Sequence, residues 1–432
     1  MRVRLESIGC RLNIGEIQAM ARGLAAGGHT IVGPGDGADL CVINTCTVTA
    51  VASKKSRQLI RQLKRANPAA KIVVTGCEAE LAPHEISAAG VDLLVGNADK
   101  DRLLEVISNA GLLIEATVDL DQASPIAPGI SSRTRAFLKV QDGCDNRCAF
   151  CVITVARGAG RSLSADSVLE EVHELCRMGF QELVLSGVHL GSYGHDLGDL
   201  QGLRNLVERI LAESEVPRLR LSSVEPWDLD PGFFEIFSDP RLLPHLHLPL
   251  QSGCNATLKR MARRTSRAEY SRLVEEARAV SADISVSTDL IVGFPGEDDD
   301  EFNESLDFVE EQAFSRLHIF RFSPREGTPA ASMPDQVSPT VAQDRSRRLH
   351  ALGADLEAKF ASRFQGRTLE VLWESFENLD SSLRWSGLTP NYIRVVTESG
   401  PGEDLTNLVI PTTIVDTCAG GLVGRLERSS KT

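Results

Sequence analysis

The chain has 432 residues, of which 42% are hydrophobic, and a formal net charge of −13. At ~100–200 residues per domain, this length predicts roughly two to four domains with ordinary cores. Because no apolar run reaches ~18 residues, we expect no membrane span. The lack of an apolar leader after Met1 predicts a cytoplasmic protein. The negative charge argues against nucleic-acid binding by the whole surface but leaves room for a local basic patch.

Residues 1–111 alternate short apolar runs with helical patterns. This alternation is typical of a parallel sheet with helices on its faces. The predicted strands are Val3–Ile8, Leu40–Asn44, Lys71–Thr75 and Val91–Val95. The predicted helices are Asn13–Ala26, Thr49–Ala66 and Asp99–Ala110. Residues 112–134 lose the pattern and carry Pro125, Pro128 and Gly129, which predicts a linker.

Residues 135–364 form a second series of strands and helices, which predicts an α/β fold with a partial barrel of six β/α units. Its predicted strands are Phe137–Val140, Glu182–Leu185, Arg218–Ser222, His245–Leu248, Ser285–Ile291 and Arg316–Phe320. Ligands of such sheets gather at the C-terminal ends of the strands. Residues 365–426 are short strand-like runs between turns, which predicts a small all-β barrel. Residues 427–432 are expected to be a loose tail.

Ten cysteines in a chain without a secretory signal favour metal binding or catalysis over disulfides. Cys144, Cys148 and Cys151 follow the first barrel strand with the spacing C-x3-C-x2-C. Thiolates are soft ligands that suit iron–sulfur clusters and zinc. Three ligands leave one iron of a cluster open to a chelating small molecule. A structural zinc ion would need a fourth ligand, which His173 or His189 could supply.

This motif after the first strand of a β/α barrel resembles the radical S-adenosylmethionine (SAM) superfamily. The resemblance implies a [4Fe–4S] cluster whose open iron binds SAM, with the aromatic residue of the motif near the adenine. The segments starting at Leu185 and Ser285 resemble further SAM-contacting strands of the superfamily. The implied cofactor-binding residues are Phe150, Gly187, His189, Ser222, Gln251, Ile291 and Gly293. The alternative for Gly293 is an ordinary strand-to-helix turn.

A second group of cysteines, Cys10, Cys46 and Cys77, each follows a predicted strand of the first domain. The C-terminal ends of parallel strands lie on one edge of a sheet, so these three thiolates can converge. Their convergence predicts a site for a second cluster. The remaining cysteines are interpreted as structural, namely Cys41, Cys176, Cys254 and Cys418.

Two clusters, a barrel and a C-terminal β domain together resemble the methylthiotransferases, over essentially the whole chain. The segments that carry the resemblance include Ser7-Ile-Gly-Cys-Arg-Leu-Asn, Ala156-Arg-Gly and Leu248-Pro-Leu-Gln-Ser-Gly-Cys. The family implies two [4Fe–4S] clusters, SAM, and a C-terminal TRAM domain that binds RNA. It also implies a low-potential electron donor of the flavodoxin or ferredoxin type and a sulfur donor. We expect a monomer. The chain departs from the family at Thr154-Val155, where a Pro-Tyr pair is usual, which affects the expected shape of that loop.

Three branches of this family differ in substrate. They act on isopentenyladenosine in tRNA, on threonylcarbamoyladenosine in tRNA, or on an aspartate of a ribosomal protein. The segments Asn44-Thr-Cys-Thr-Val-Thr, Lys139-Val-Gln-Asp-Gly-Cys and Leu221-Ser-Ser-Val-Glu-Pro are most similar to the threonylcarbamoyladenosine branch. That branch inserts the methylthio group at C-2 of the base at tRNA position 37. The alternative of another class is a non-catalytic two-cluster protein that binds RNA or transfers electrons.

Basic residues supply candidate RNA contacts. Lys54, Arg57 and Arg61 lie on the helix after Cys46, together with Lys55, Lys64 and Arg65. A second basic group comprises Arg260, Arg263, Arg264 and Arg267, and the candidates in the C-terminal domain are Arg367, Arg384 and Arg394. Such groups can neutralise phosphates or simply form solvated helix faces. Arg157 and Arg325 are the candidates for binding a substrate carboxylate, and the alternative for both is a structural ion pair.

Overall fold

The computed structural model describes residues 1–113, 134–379 and 382–427, which form an N-terminal domain, a central barrel and a C-terminal barrel. The linker predicted at 112–134 and the tail predicted at 427–432 lie almost entirely outside the described residues. Within the described ranges, no helix combines the length and the apolar character that crossing a membrane requires.

The N-terminal domain is a parallel sheet of five strands in the order β2-β1-β3-β4-β5. The strands are β1 (Arg2–Ser7), β2 (Thr30–Val32), β3 (Leu40–Thr45), β4 (Lys71–Gly76) and β5 (Leu93–Val95). The helices are α1 (Arg11–Ala26), α2 (Ala50–Ala66), α3 (Cys77–Leu81), α4 (Pro83–Ala88) and α5 (Leu103–Asn109). Every residue of the central strand β3 is buried, as expected for a parallel sheet covered on both faces. The predicted parallel α/β domain is thus confirmed. The pattern does not predict β2, because its three residues are too few to show a period.

The central domain is the predicted partial barrel of six parallel strands. These are β6 (Arg135–Asp142), β8 (Glu182–Gly187), β9 (Leu219–Leu221), β10 (His245–His247), β11 (Ser285–Val292) and β12 (Arg316–Arg321), with a short antiparallel β7 (Arg161–Ser162) beside β6. The strands form two sheets, β7-β6-β8-β9 and β10-β11-β12, and isolated bridges link them between the β9 and β10 regions. The helices are α6 (Ile153–Arg157), α7 (Ala165–Arg177), α8 (Gly202–Glu213), α9 (Asn255–Arg260), α10 (Arg267–Val280), α11 (Asp299–Gln312) and α12 (Pro339–Ser362).

Helix α1 of the N-terminal domain covers the edge of β6. The side-chain carbonyl of Gln18 accepts a hydrogen bond from the Phe137 backbone N–H (3.0 Å), and its amide donates to the Arg135 carbonyl (3.5 Å). Gly15 lets the two backbones approach, since a Cβ there would lie 2.5 Å from the Phe137 carbonyl oxygen. The two cysteine-bearing domains are therefore held directly against each other.

The C-terminal domain is a closed barrel of five strands in the order β13-β14-β15-β17-β16. The strands are β13 (Thr368–Asn378), β14 (Leu383–Leu388), β15 (Arg394–Ser399), β16 (Val409–Cys418) and β17 (Gly421–Leu426). Trp373 and Trp385 are fully buried in its core. The small all-β barrel predicted from the turn-rich pattern is confirmed.

Candidate cluster sites and substrate cavity

Cys144, Cys148 and Cys151 lie on a loop at the C-terminal end of β6, and all three are half-buried. The loop begins with a sharp turn at Gly143, whose φ of +71° and lack of a Cβ allow contact with the Ala159 carbonyl. The backbone N–H of Cys144 then donates to the Gly158 carbonyl (3.0 Å). The backbone N–H of Asn146 points at the Cys144 sulfur (3.4 Å), which stabilises a thiolate there.

An arginine faces the second cysteine of this loop. Arg263 Nη1 lies 3.7 Å from the Cys148 sulfur, and its guanidinium pairs with Glu225 (2.6 Å) and lies over the Trp227 ring. Burial raises the pKa of Cys148, and the charge of Arg263 opposes that rise. Burial also raises the pKa of Cys151 to about 12. Bound iron would displace these thiol protons, because thiolates are the ligands. Arg263, predicted within a basic group, is thus buried beside a cysteine.

His189 lies beside the same loop. Its Nε2 is 2.5 Å from the Asp228 carboxylate and 3.2 Å from the Asn146 amide. Burial lowers the pKa of His189, but hydrogen bonds with Asp228 and Cys144 outweigh burial and raise it to about 10. Asn146, His189 and Asp228 line an open cavity of 460 Å³.

Of the two histidines that a zinc site could use, His189 contacts Cys144 and His173 contacts another helix instead. His173 lies on α7, where Nε2 contacts the Glu213 carbonyl of α8 (2.9 Å). Across the described ranges, no three His, Cys, Asp or Glu side chains are arranged to hold a single metal ion. Cysteines that bind separate irons of a cluster need not converge on one point, so both cysteine trios remain compatible with a cluster.

Cys10, Cys46 and Cys77 follow β1, β3 and β4, and the sheet edge brings them together as predicted. A Cβ on Gly9 would lie 2.9 Å from the Cys46 sulfur, so the Cys10 and Cys46 loops touch. A Cβ on Gly76 would lie 2.4 Å from the Thr45 carbonyl oxygen, so the Cys77 loop lies equally close. Both glycines have positive φ. Close packing at this edge thus requires glycine before two of the three cysteines.

Arg157 connects the barrel to this trio. Its Nε lies 3.3 Å from the Cys77 sulfur, and its Nη1 pairs with Glu16 (3.0 Å) and Asp142 (2.8 Å). Nη2 donates to Asn13 Oδ1 (3.1 Å), which also accepts from the Cys10 thiol. The Arg157 side chain is 2% exposed. These contacts favour the ion-pair alternative for Arg157 over binding of a substrate carboxylate.

Glu16 is the buried anion of this network. It also pairs with Lys100 of its own domain (2.6 Å). Burial raises the pKa of Glu16, but Lys100 and Arg157 outweigh burial and hold it well below its ordinary value. Lys100 and Arg157 balance the negative charge of the Glu16 carboxylate. Glu16 therefore belongs to an ionic cluster between the domains and is not an isolated buried charge.

Several buried polar atoms near the cysteines and the strand ends have no hydrogen-bond partner in the described part of the chain. They include Asn44 Oδ1 and Thr75 Oγ1 in the N-terminal sheet and Ser222 Oγ in the barrel. A buried polar atom without a partner is costly, and Ser222 is the predicted cofactor residue among these three. The soft thiolates of the two cysteine trios fit iron–sulfur clusters.

A cavity of 170 Å³ lies between the two cysteine loops. Val48 and Thr49, which follow Cys46, form one side, and Phe150 and Cys151 form another. The remaining lining residues are Val152, Ile153, Gln251, Asp289, Ile291, Phe320, Arg321, Phe322 and Ser323. Three of the predicted cofactor residues, Phe150, Gln251 and Ile291, thus line the same cavity.

Other predicted cofactor residues lie elsewhere. Gly187 packs on the Gln141 side chain, and Gly293, with φ +73°, packs on Ala342 of α12. Neither glycine lines the cavity, and Gly293 is the strand-to-helix turn that the pattern also allowed. Asp289, Phe320 and Arg321 line the cavity but were outside the predicted set. Only their positions near the ends of β11 and β12 could have indicated them.

Arg325 and the helix after Cys46 supply the other predicted substrate contacts. Arg325 Nη2 donates to Thr47 (2.5 Å) and Ser53 (3.1 Å), so it fastens the barrel to the Cys46 loop. Arg57 pairs with Glu78 (2.6 Å) and Glu85 (2.8 Å). Lys54 and Arg61 are exposed and have no ion pair within the described ranges. They therefore remain candidates for phosphate contacts.

Comparison with known proteins agrees with this geometry. Residues 2–96 match the model of uncharacterized protein family UPF0004, and residues 138–309 match that of the radical SAM superfamily. Threonylcarbamoyladenosine tRNA methylthiotransferase MtaB of Bacillus subtilis (strain 168) is 36% identical over 96% of this chain and 93% of its own length. The chain belongs to the radical SAM methylthiotransferases. A methylthiotransferase of this superfamily uses SAM and a [4Fe–4S] cluster, so the predictions of an enzyme and of these cofactors are confirmed.

Further relatives lie in two branches of the methylthiotransferases. The protein named MtaB of Thermotoga maritima is 37% identical over 86% of each chain. The tRNA-2-methylthio-N(6)-dimethylallyladenosine synthase of Staphylococcus haemolyticus is 32% identical over 94% of this chain and 81% of its own. The solved structure of the radical SAM methyltransferase TsrM from Kitasatospora setae shares the fold, with a TM-score of 0.56 and 15% identity over 76% of this chain and 75% of that one.

Proposed function

We propose that the enzyme inserts a methylthio group at C-2 of N(6)-threonylcarbamoyladenosine at position 37 of tRNA. The observation that carries this proposal is the cavity between the Cys46 and Cys151 loops, where a base could meet both sites. The choice of substrate is supported by identities of 36% and 37% to two relatives named for threonylcarbamoyladenosine, against 32% and 34% to two relatives named for dimethylallyladenosine.

Cys10, Cys46 and Cys77 would hold a second, auxiliary [4Fe–4S] cluster. Support comes from the contact between the Cys10 and Cys46 loops and from Arg157 beside Cys77. Burial raises the pKa of Cys46 to about 11, so ligand formation there needs a metal to displace the proton. Arg157 lies beside Cys77 and offsets the negative charge of its thiolate, and it also holds Asn13, whose Oδ1 contacts Cys10.

When bound, SAM and the clusters supply the radical chemistry that an aromatic C–H bond requires, because such a bond is too weakly acidic for base catalysis. The chain positions the reactants and keeps water out. Phe150, Ile291, Phe320 and Phe322 give the cavity apolar walls. Electrons would come from a low-potential donor of the flavodoxin or ferredoxin type, and a sulfur donor would reload the site. We expect the enzyme to act in the cytoplasm, where its tRNA substrate is found. We also expect it to be a monomer.

The test is anaerobic assay of the reconstituted enzyme with SAM, a reductant and anticodon stem-loops. We expect nucleoside mass spectrometry to detect the methylthio product on threonylcarbamoyladenosine and little on isopentenyladenosine. The reverse preference would assign the enzyme to the isopentenyladenosine branch. Activity on neither RNA, but on a ribosomal-protein aspartate, would assign it to the third branch.

The auxiliary site is tested by Cys77→Ala. We expect iron to fall from about eight to about four atoms per chain. SAM cleavage to 5′-deoxyadenosine should persist while the methylthio product disappears. Cys418→Ala, which removes an exposed thiol of the C-terminal barrel, is the matched control and should retain all iron and activity. Full iron content in Cys77→Ala would contradict the auxiliary cluster.

A further inference from the structure

The substrate named above carries a carboxylate on its threonyl group, and a carboxylate is bound best by a cation that has no other partner. Most arginines near the two cysteine loops have partners. Arg157 is buried between Glu16 and Asp142, and Arg263 pairs with Glu225. Arg325 donates to Thr47 and Ser53. Carboxylates thus neutralise Arg157 and Arg263, and Arg325 holds two hydroxyl groups through Nη2.

Arg321 differs from them. It is the last residue of β12, at the C-terminal edge of the barrel, and it is exposed. It is the one lysine or arginine among the described residues that line the 170 Å³ cavity. Within the described ranges it has no ion pair or side-chain hydrogen bond. Its guanidinium can therefore bind an anion without breaking an existing contact.

The residues beside Arg321 provide an apolar surface on which an RNA base can pack. Phe320 lines the same cavity and is 43% exposed, which is unusual for a large aromatic side chain. Val48, which is 49% exposed, lies across the cavity on the loop after Cys46. Exposed aromatic rings stack on unpaired RNA bases.

Among the described residues that line the cavity there is one acid, Asp289, and it already has a hydrogen-bond partner. The Asp289 carboxylate lies 3.1 Å from His247 Nε2. Burial raises the pKa of Asp289, but the hydrogen bond from His247 outweighs burial and lowers it, so Asp289 is an anion. An anion here disfavours a second carboxylate unless a cation such as Arg321 accompanies it.

We propose that Arg321 binds the carboxylate of the threonylcarbamoyl group while Phe320 packs against the modified base. This inference rests on the proposed function, which it deepens by naming the residues that distinguish a carboxylate-bearing adenosine from an isopentenylated one. A phosphate of the RNA backbone is the other anion that an exposed arginine could bind, and the experiment separates the two.

The experiment measures binding of fluorescent anticodon stem-loops to the full-length reconstituted enzyme by anisotropy. The stem-loops carry adenosine, isopentenyladenosine, threonylcarbamoyladenosine or its methyl ester. We expect Arg321→Gln to weaken binding of the threonylcarbamoyl RNA about tenfold. Methyl esterification should weaken wild-type binding by a similar factor. The two changes together should cost no more than either alone, because both remove one interaction.

Arg272→Gln is the matched control, because Arg272 is a mostly exposed arginine on α10. It should leave all four affinities unchanged. Arg321→Lys should recover part of the loss, since it restores the charge without the two-pronged geometry. Phe320→Ala should weaken binding of both modified RNAs, and Phe320→Tyr should restore it.

Equal weakening of all four RNAs by Arg321→Gln would indicate a phosphate contact and would overturn the inference. Full affinity of Arg321→Gln for the threonylcarbamoyl RNA would overturn it as well. Both outcomes leave the proposed function intact if wild-type enzyme still forms the methylthio product on that RNA. Failure of the wild-type enzyme to modify it would overturn the proposed function itself.

Discussion

The carboxylate of Glu182, at the first position of β8, has no exposed surface. It accepts hydrogen bonds from Arg220 (2.7 and 3.1 Å) and Arg218 (3.3 Å). Burial raises the pKa of Glu182, but the two arginines outweigh burial and lower it to about 2. An unfolded glutamate titrates near pH ~4.3. The stability that Glu182 contributes is therefore complete above that pH and is lost as the pH falls from about 4.3 towards 2.

We predict that Glu182→Gln destabilises the protein near neutral pH by about 3–5 kcal/mol, because it leaves two buried arginines unpaired. The difference between wild type and variant should shrink as the pH falls below about 4.3, when wild type loses the same charge. Urea unfolding between pH 7 and pH 3 measures this difference. Glu208→Gln, at a half-exposed helical ion pair with Arg204, is the control. A difference that stays constant with pH would contradict the assignment.

Individual site residues could be predicted from the sequence only where one local rule decided their position. Cys10, Cys46 and Cys77 converge because parallel strand ends share an edge, and Cys144, Cys148 and Cys151 share one loop. The role of Arg157 depends on Glu16, 141 residues away in another domain. No local pattern encodes such a contact, and the same holds for Arg325 with Thr47.

At the scale of elements, the absence of a side chain at Gly15 of helix α1 allows the N-terminal domain to pack directly against β6 of the barrel. Alanine usually stabilises a helix interior relative to glycine by about 1 kcal/mol. A Cβ at Gly15 would instead lie 2.5 Å from the Phe137 carbonyl oxygen, a backbone atom that cannot rotate away. We predict that Gly15→Ala destabilises the protein by about 1–3 kcal/mol, measured by chemical denaturation.

The control lies on the same helix. At Gly23 a new Cβ would meet only the Leu104 Cδ1 atom, the end of a flexible side chain. Gly23→Ala should therefore be close to neutral or stabilising. Equal effects of the two substitutions would show that α1 tolerates displacement from β6.

Helix and strand positions were largely predictable, because buried parallel strands are continuous apolar runs and helices show their own period. Short elements were not. Residues 77–81 form α3 directly at Cys77, and the predicted helix Asp99–Ala110 begins as a helix of the 3-10 type over Lys100–Arg102. The residues at which these two helices begin depend on packing at the cysteine edge of the sheet rather than on the helical periodicity of the sequence.

At the scale of the whole molecule, the exposed cations are unevenly distributed. In the C-terminal barrel, Arg367 pairs with Asp283 of the central domain, and Arg384 lies 3.5 Å from Glu398. In the second basic group, Arg260 pairs with Glu301 and Arg267 with Glu304. The exposed Lys54 and Arg61 on α2 lie closer in sequence to the Cys46 loop. A chain of net charge −13 can therefore still offer RNA a local positive surface on α2, the helix that follows the cavity-lining Val48 and Thr49.

Tyr392 joins all three domains. Its hydroxyl accepts hydrogen bonds from Arg11, which follows Cys10 (3.0 Å), and from Arg135 at the start of β6 (3.3 Å). Its ring lies 4.5 Å from that of His245 and beneath the Arg220 guanidinium. The residue has a positive φ of 66°, a strained conformation that surrounding contacts must maintain. The C-terminal barrel is thus tied to the start of α1, directly after Cys10.

We predict that Tyr392→Phe destabilises the protein by about 1–3 kcal/mol, because two arginines lose their shared acceptor in a partly buried site. Tyr193→Phe is the matched control, since the Tyr193 hydroxyl makes a single hydrogen bond, to the Leu163 carbonyl (2.8 Å). Thermal and chemical unfolding should rank Tyr392→Phe as the more damaging of the two. If Cys10, Cys46 and Cys77 hold the proposed auxiliary cluster, Tyr392→Phe should also release its iron faster under chelation, which Tyr193→Phe should not cause. If both variants release iron at the wild-type rate, the C-terminal barrel is docked independently of the proposed auxiliary site, and Arg11 does not transmit its position to Cys10.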